Sequence, residues 1–452
     1  MNVFMIINKK EDLYLIKQTE SFFNKNRHNI SITFKCINNF ENEWNGDEKF
    51  NNFMMILLNH YKNINIYDGL NFTEKDIKII EYGYSIINEN IHNDIFCFSI
   101  YNSYIDFYLL LSLYIKKIKP SAKILFGGAS IILYDNLTNI LKDLYIDCST
   151  GDMEVSLYNY ITDYNNFYNK KHKINLNTLN KNDVPKYTQE EIQYLDYSIM
   201  MSSSRGCANN CYFCSSPALS SYSFVKRNVL VDWFKYYNDI GVKKVTFNDA
   251  TLNKVDFDVL LDGLININNQ VKIHTTDISF RDLKFDQIPK MKQAGFDEVC
   301  LGLECLHPTL QKKINRKMPS IDDLFKYLDL FEINDINVKL FYIIGLPFQT
   351  FNMFLYELNI IEEIDKKYSN IQFEIYNFYI SPKSFAEKNY LYFNTKKTSI
   401  YDEYINDLQK YNKNITSMYK YEQLFPSFED GREFEKMFYD KIKNTLTTFF
   451  PH

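Results

Sequence analysis

The chain has 452 residues, 46% of them hydrophobic and 24% charged, a globular balance with room for two or three domains. Its net charge of -5 advertises no basic face, so a nucleic-acid partner is not expected. Phe107 to Ile115 is apolar but is bounded by Asp106 and by Lys116 and Lys117, too short a run to span a membrane.

Met1 to Ile7 reads as a first strand and lacks the basic flank and cleavage site of a signal peptide. Eight cysteines, three of them clustered, suit a reducing cytoplasm better than a disulfide framework. Asp94 to Ile100 is a buried-strand run, and Tyr104 to Ile118 has helical length and periodicity before Pro120 breaks it. Ala122 to Phe126 is a further strand ending in Gly127 and Gly128. A helix to about Tyr145 and a short strand, Ile146 to Cys148, lead to Gly151 and Asp152. This βαβ order predicts a mainly parallel, doubly wound Rossmann-like sheet over 1–160. Ligands of such sheets sit beyond the carboxyl ends of the strands, where glycine lets backbone approach closely. Ser99, Gly127 with Gly128, and Gly151 resemble the strand-end positions of cobalamin-binding-like domains. The resemblance implies cobalamin as a possible cofactor; the bland alternative is a domain that kept the shape without it. Asp152 stands where that family has Glu, and no Asp-x-His-x-x-Gly stretch offers a histidine to cobalt. Residues 161–195, rich in Asn and Lys, read as a linker.

Next comes Ser202-Ser203-Ser204-Arg205-Gly206-Cys207-Ala208-Asn209-Asn210-Cys211-Tyr212-Phe213-Cys214. Thiolates are the standard ligands of iron–sulfur clusters. Three of them on a four-iron cluster leave one iron open to a small molecule. A structural zinc site would need a fourth ligand, and no His or Cys follows nearby. With Phe213 before the last cysteine, the loop resembles that of radical SAM enzymes. The resemblance implies that Cys207, Cys211 and Cys214 hold a 4Fe–4S cluster whose open iron is chelated by S-adenosylmethionine.

From Tyr197 onward six strands are expected, near 197–203, 243–248, 271–277, 298–304, 338–345 and 371–379. They alternate with helices near 228–240, 254–268, 284–294, 308–332 and 350–367. Six βα repeats over 196–380 predict a partial (β/α)6 TIM-like barrel with chemistry at the carboxyl ends of the strands, and 381–452 read as a small helical region. The same resemblance proposes roles at those ends. Asp249 is a candidate for the methionine amino group, or a helix-cap or turn Asp. Arg281 is a candidate for the ligand carboxylate, or a surface ion pair. Glu304, in Gly302-Leu303-Glu304, is a candidate for the ribose. Gly345, in Ile343-Ile344-Gly345-Leu346-Pro347, would lie against adenine. Cys305 replaces the family's Ser and is either a hydrogen-atom donor or a small residue without a chemical role.

The resemblance implies reductive cleavage of S-adenosylmethionine to a 5′-deoxyadenosyl radical, fed by an electron donor such as flavodoxin or ferredoxin. The radical would modify an unactivated carbon of a peptide or other small-molecule substrate. Cobalamin-dependent methylation is the first reading. A cobalamin-free epimerase or cyclase using Cys305 is the alternative, and a non-catalytic metal-binding sensor the remote one.

Overall fold

The computed structural model describes residues 2–36 and 74–389, apart from a few positions, and the short segments 395–397, 421–423, 441–442 and 445–446. It divides into two compact units. One comprises Met1–Ile174 with Lys397–Lys420, the other Asn175–Lys396 with Tyr421–His452.

The first unit runs β1 (Asn2–Ile7), α1 (Leu13–Lys25), β2 (Ser31–Cys36), α2 (Glu74–Glu89), β3 (Ile95–Ser99), α3 (Ile105–Ile118), β4 (Lys123–Gly127), β5 (Asp147–Cys148) and α4 (Met153–Thr162). All five strands are parallel, in the order β2-β1-β3-β4-β5. The order reverses between β1 and β3, the kind of switch point at which α/β sheets take ligands. Val3 to Ile6 and Ile95 to Phe98 are buried without interruption, as strands covered on both faces require. Phe107 to Leu111 of α3 pack into the same core with Ile79 and Ile80 of α2. Asp147, at the start of β5, accepts the hydroxyls of Tyr160 (2.5 Å), Tyr164 (3.1 Å) and Tyr168 (2.6 Å).

The second unit runs α5 (Gln189–Tyr194), β6 (Ser198–Met201), α6 (Arg227–Asp239), β7 (Lys244–Phe247), α7 (Phe257–Asn266), β8 (Lys272–Ile273), β9 (Thr276–Ile278), α8 (Gln287–Ala294), β10 (Glu298–Glu304), α9 (Pro308–Lys313), α10 (Ile321–Ile333), β11 (Asn337–Ile344), α11 (Phe351–Lys367), β12 (Ile371–Asn377) and β13 (Thr445–Leu446). Two parallel sheets result, β8-β7-β6 and β9-β10-β11-β12-β13. Both units are thus α/β with parallel sheets.

Three departures from the sequence reading have local causes. The strand expected at 271–277 is split into β8 and β9 at Thr275, whose φ of 47° cannot continue a strand. The helix expected at 308–332 is two helices. Pro319 stands between them, and Ser320 starts the second by accepting from the Asp323 amide at 3.1 Å. Within the expected linker, Leu176 and Val184 are buried. The Trp233 indole donates to the Asn180 carbonyl at 3.2 Å and the Tyr237 hydroxyl to that of Pro185 at 3.3 Å. This stretch is therefore packed on α6. The helical region expected over 381–452 lies mostly outside the described residues. Among those described are a short helix, Phe385–Lys388, and β13 paired with β12.

Residue alternation assigns the faces of the larger sheet. Tyr342 of β11 donates its hydroxyl to Glu357 of α11 at 2.8 Å, so Val338, Leu340 and Tyr342 face the helices. Lys339, Phe341 and Ile343 then lie on the opposite face. Register carries that face to Cys300 and Gly302 on β10, Asp277 on β9 and Glu374 on β12.

Candidate functional site

The cysteine loop leaves β6 through three buried serines. Asp249, just beyond β7, holds them. Its Oδ1 accepts the amides of Ser203 (2.7 Å) and Ser204 (2.9 Å), and its Oδ2 accepts the Ser203 hydroxyl. Buried Arg227 donates to Ser203 Oγ at 3.0 Å and to the carbonyls of Leu252 (2.7 Å) and Val255 (3.0 Å). Burial pushes the Asp249 carboxyl up, against the pull of the serines and Arg227. Asp249 was expected to bind a ligand amine; three of its roughly four acceptor positions are instead committed to the loop.

The loop folds back through an antiparallel pairing of Ser204–Arg205 with Ser223–Phe224. Gly206 has a φ of +65°, and a Cβ there would lie 2.2 Å from the Ser220 carbonyl oxygen, so only glycine fits. Asn315 donates to the Asn210 carbonyl at 2.7 Å, and the Tyr212 amide to that of Ile314 at 3.1 Å. Tyr212 stacks on Phe385 with centroids 4.1 Å apart.

All three cysteines are half-buried, and each sulfur faces one N–H donor. Asn209 N lies 3.4 Å from Cys207, Ser216 N 3.4 Å from Cys214, and Arg316 Nη1 3.5 Å from Cys211. Burial raises the Cys207 and Cys211 thiols; the Asn209 amide opposes this at Cys207 and Arg316 opposes it at Cys211. Donors of this kind favour thiolate, the form that binds metal. Four buried polar atoms on or beside the loop lack a partner among the described residues: Ser204 Oγ, Asn209 Oδ1, the Tyr222 hydroxyl and Arg316 Nε. Buried polar atoms are ordinarily paired, so the surroundings fit a polar group bound beside the loop. Among the described residues no group of three or more His, Cys, Asp or Glu side chains stands ready to hold a metal ion. The three sulfurs are nevertheless near enough for Cys214 to raise the proton affinity of Cys207 and Cys211.

Arg316, which the sequence reading did not single out, joins the loop to β10. Its Nη2 donates to the Gly302 carbonyl and lies 3.8 Å from Glu304 Oε1. A Cβ on Gly302 would sit 2.4 Å from Arg316 Nη2 and 2.5 Å from Glu304 Oε1. Gly302 is therefore the opening through which the guanidinium crosses the strand. Glu304 sits at a register shift with a φ of +57°, a strained conformation of the sort found at functional sites. Burial raises its carboxyl and Arg316 opposes the rise.

Gly345, with a φ of +77°, donates its amide to Gln349 Oε1 at 2.8 Å. Gln349 in turn donates to Glu357 at 2.7 Å, so the turn after β11 is held from α11. Phe213 packs against a buried cluster of Cys305, Leu310, Ile314, Ile343 and Leu346. Cys305 has 0% exposure, and burial holds its thiol well above the usual range. It packs within that cluster. Arg281 is exposed and makes no hydrogen bond or ion pair among the described residues, so it does not join the buried site. Asp277, passed over in the sequence, lies close enough to Glu304, Asp249 and Glu374 to feel their charges.

In the first unit Ser99 pairs with Gly127 at the ends of β3 and β4. A Cβ on Gly127 would meet nothing within 4 Å among the described residues, leaving space at the strand end. Gly128 and Gly151 differ. Their added Cβ atoms would lie 2.8 Å from the Ile100 carbonyl oxygen and 2.0 Å from the His172 carbonyl oxygen. Those two glycines accommodate the chain's own backbone.

Residues 201–359 match the sequence model of the radical SAM superfamily. No curated protein matches the chain. Among solved structures the fold is similar to the radical S-adenosylmethionine methyltransferase TsrM from Kitasatospora setae, solved with cobalamin and a 4Fe–4S cluster. The TM-score is 0.63 at 10% identity, covering 85% of this chain and 76% of that one. It is also similar to the cobalamin-dependent S-adenosylmethionine radical enzyme OxsB, with a TM-score of 0.60 at 12% identity, covering 96% and 66%. These likenesses speak to the fold, and the sequence match speaks to the chemistry. With its cysteine loop inside the matched span, the chain carries a radical SAM domain, with the 4Fe–4S cluster and S-adenosylmethionine that this superfamily implies.

Proposed function

We propose that the chain is a cobalamin-dependent radical SAM methylase acting on a small-molecule or peptide substrate. Residues 196–380 are read as a partial barrel and residues 1–160 as the corrinoid-binding unit. The observation that carries the reading is the cysteine loop: three thiols at C-x3-C-x2-C spacing, each facing one N–H donor, among polar atoms left without partners. When bound, the cluster would supply the electron that cleaves S-adenosylmethionine.

The chain's own residues bind and orient. Cys207, Cys211 and Cys214 would hold the cluster. Asp249 and Arg227 fix the strand end from which the loop springs, and Arg316 ties the loop to Glu304, the candidate ribose partner. Gly345 shapes the turn expected beside adenine, and Phe213 closes the apolar side against water. In the first unit the open space over Gly127, beside Ser99, supports a flat ligand against the ends of β3 and β4. The similarity to TsrM and OxsB supports the same reading. The cobalamin-free alternative with Cys305 as hydrogen donor is not favoured, because that thiol is fully buried.

The test is anaerobic reconstitution with iron, sulfide and hydroxocobalamin. A cluster whose spectrum changes on adding S-adenosylmethionine, together with retained corrinoid absorbance, is expected. A cluster without retained corrinoid would remove the methylase reading, and no cluster would remove the radical reading altogether.

A further inference from the structure

We propose that Asp277 and Glu374 bind the cationic head, an ammonium or guanidinium, of the substrate; this deepens the function proposed above and rests on it. Both lie on the sheet face turned away from the helices, Asp277 beside Cys300 and Glu374 beside Phe341. Every other charge known on or near this face has its complement. Asp249 holds Ser203 and Ser204 with Arg227 close by, and Glu304 has Arg316 at 3.8 Å. Lys339 is paired with Glu298 at 2.9 Å and also lies near enough to Glu374 to feel its charge. Arg281, the cation the sequence offered here, is exposed.

Glu374 accepts one hydroxyl, from Tyr376 at 2.7 Å. Asp277 accepts no hydrogen bond from any described residue. Burial first, then the charges of Glu304, Asp249 and Glu374, raise its carboxyl to about 7. A half-buried carboxylate beside other carboxylates, with no donor, is destabilising unless something compensates it. An anion would worsen the repulsion and a neutral group would leave the charge standing. An ammonium brings three donors and a guanidinium five, each with the missing charge. The contacts from the cysteine loop run through Arg316 to Glu304, and Asp277 is the next acid to feel that chain of charges. A substrate head held there would lie near Glu304 and Asp249.

The test uses the full chain, reconstituted anaerobically, with n-butylamine as probe and n-butanol as its neutral counterpart. Saturation-transfer NMR reads the affinity of each. The amine is expected to bind about ten-fold or more tightly than the alcohol, the scale of one charge-assisted hydrogen bond. Asp277→Asn is expected to erase that ratio, and Glu374→Gln to reduce it. Equal binding of amine and alcohol to the native chain would overturn the proposal, as would a ratio unchanged in both variants. It would also fall if Asp277→Asn left the ratio intact but abolished the effect of S-adenosylmethionine on the cluster spectrum, for the acid would then serve the sulfonium. Failure of the underlying reading shows separately, as a native chain that does not cleave S-adenosylmethionine under strong reductant.

Discussion

The strand ends of the two units use their polar and small residues in opposite ways. In the first unit Asp147 takes three tyrosine hydroxyls of its own chain, and Gly128 and Gly151 admit neighbouring backbone. In the second unit the ends of β6, β9 and β10 carry orphaned polar atoms, an unpaired carboxylate and a strained Glu304. Groups that cost stability and find no partner in their own chain are the ones expected to meet a ligand. The contrast supports the proposed binding at the second unit and, for the first, leaves the space over Gly127 as the candidate.

The sharpest way to break this contrast is at the sulfurs. Replacing any one of Cys207, Cys211 or Cys214 by Ala is expected to abolish S-adenosylmethionine cleavage and the visible absorbance of the reconstituted cluster. The fold should survive, as far-ultraviolet circular dichroism would show. Retention of a complete cluster would refute the ligand assignment.

Asp277 gives the next largest effect, with an unusual sign. Its folded carboxyl titrates near 7 against an ordinary 3.8, so between those values the folded chain holds a proton that the unfolded chain has released. Stability therefore falls as pH rises through that window, by up to ~4 kcal/mol for this one group. Asp277→Asn removes the penalty. Its thermal midpoint should match the native chain near pH 4 and exceed it by several degrees at pH 8. A lower midpoint at pH 8 would make the residue structural.

Gly302→Ala tests the opening for Arg316. The added methyl must displace the guanidinium or Glu304, and a fall of about ten-fold in S-adenosylmethionine cleavage is expected with ~1–3 kcal/mol of lost stability. Full activity would show that Arg316 can reach the loop by another route.

The smallest effects come from paired glycines of the first unit. Gly151→Ala should cost ~1–3 kcal/mol in denaturant titration whether or not corrinoid is present, since it meets the His172 backbone. Gly127→Ala should leave stability within ~0.5 kcal/mol and weaken corrinoid retention. Reversed outcomes would reverse the roles given to the two positions.

What the sequence disclosed follows from how local each feature is. The cysteine loop, the segment ending in Glu304 and the turn at Gly345 are contiguous runs, so their spacing could be read directly. Alternating βα signals likewise foretold parallel sheets, because burial on both faces leaves long apolar strands. Partnerships across the chain were out of reach. Asp249 looked like a ligand residue until Ser203 and Ser204, 46 and 45 positions away, were seen to occupy it. Arg281 had the right chemistry and an exposed position. Cys305 followed Glu304 directly, yet its side chain turned into the packing beside Leu310. Asp277 carried no signal, since its character depends on which charges fold around it and which do not. A glycine in a strand with an arginine 14 residues on is the one clue that could have revealed Arg316.

β12 carries Glu374, and the neighbour that hydrogen-bonds along it, β13, comes from Thr445 and Leu446. During synthesis that border of the sheet stays bare until nearly the whole of this sequence has left the ribosome. A naked strand border invites pairing with other chains, so slow translation or scarce chaperones should show first as aggregates in which Phe373 and Glu374 are protected from hydrogen exchange.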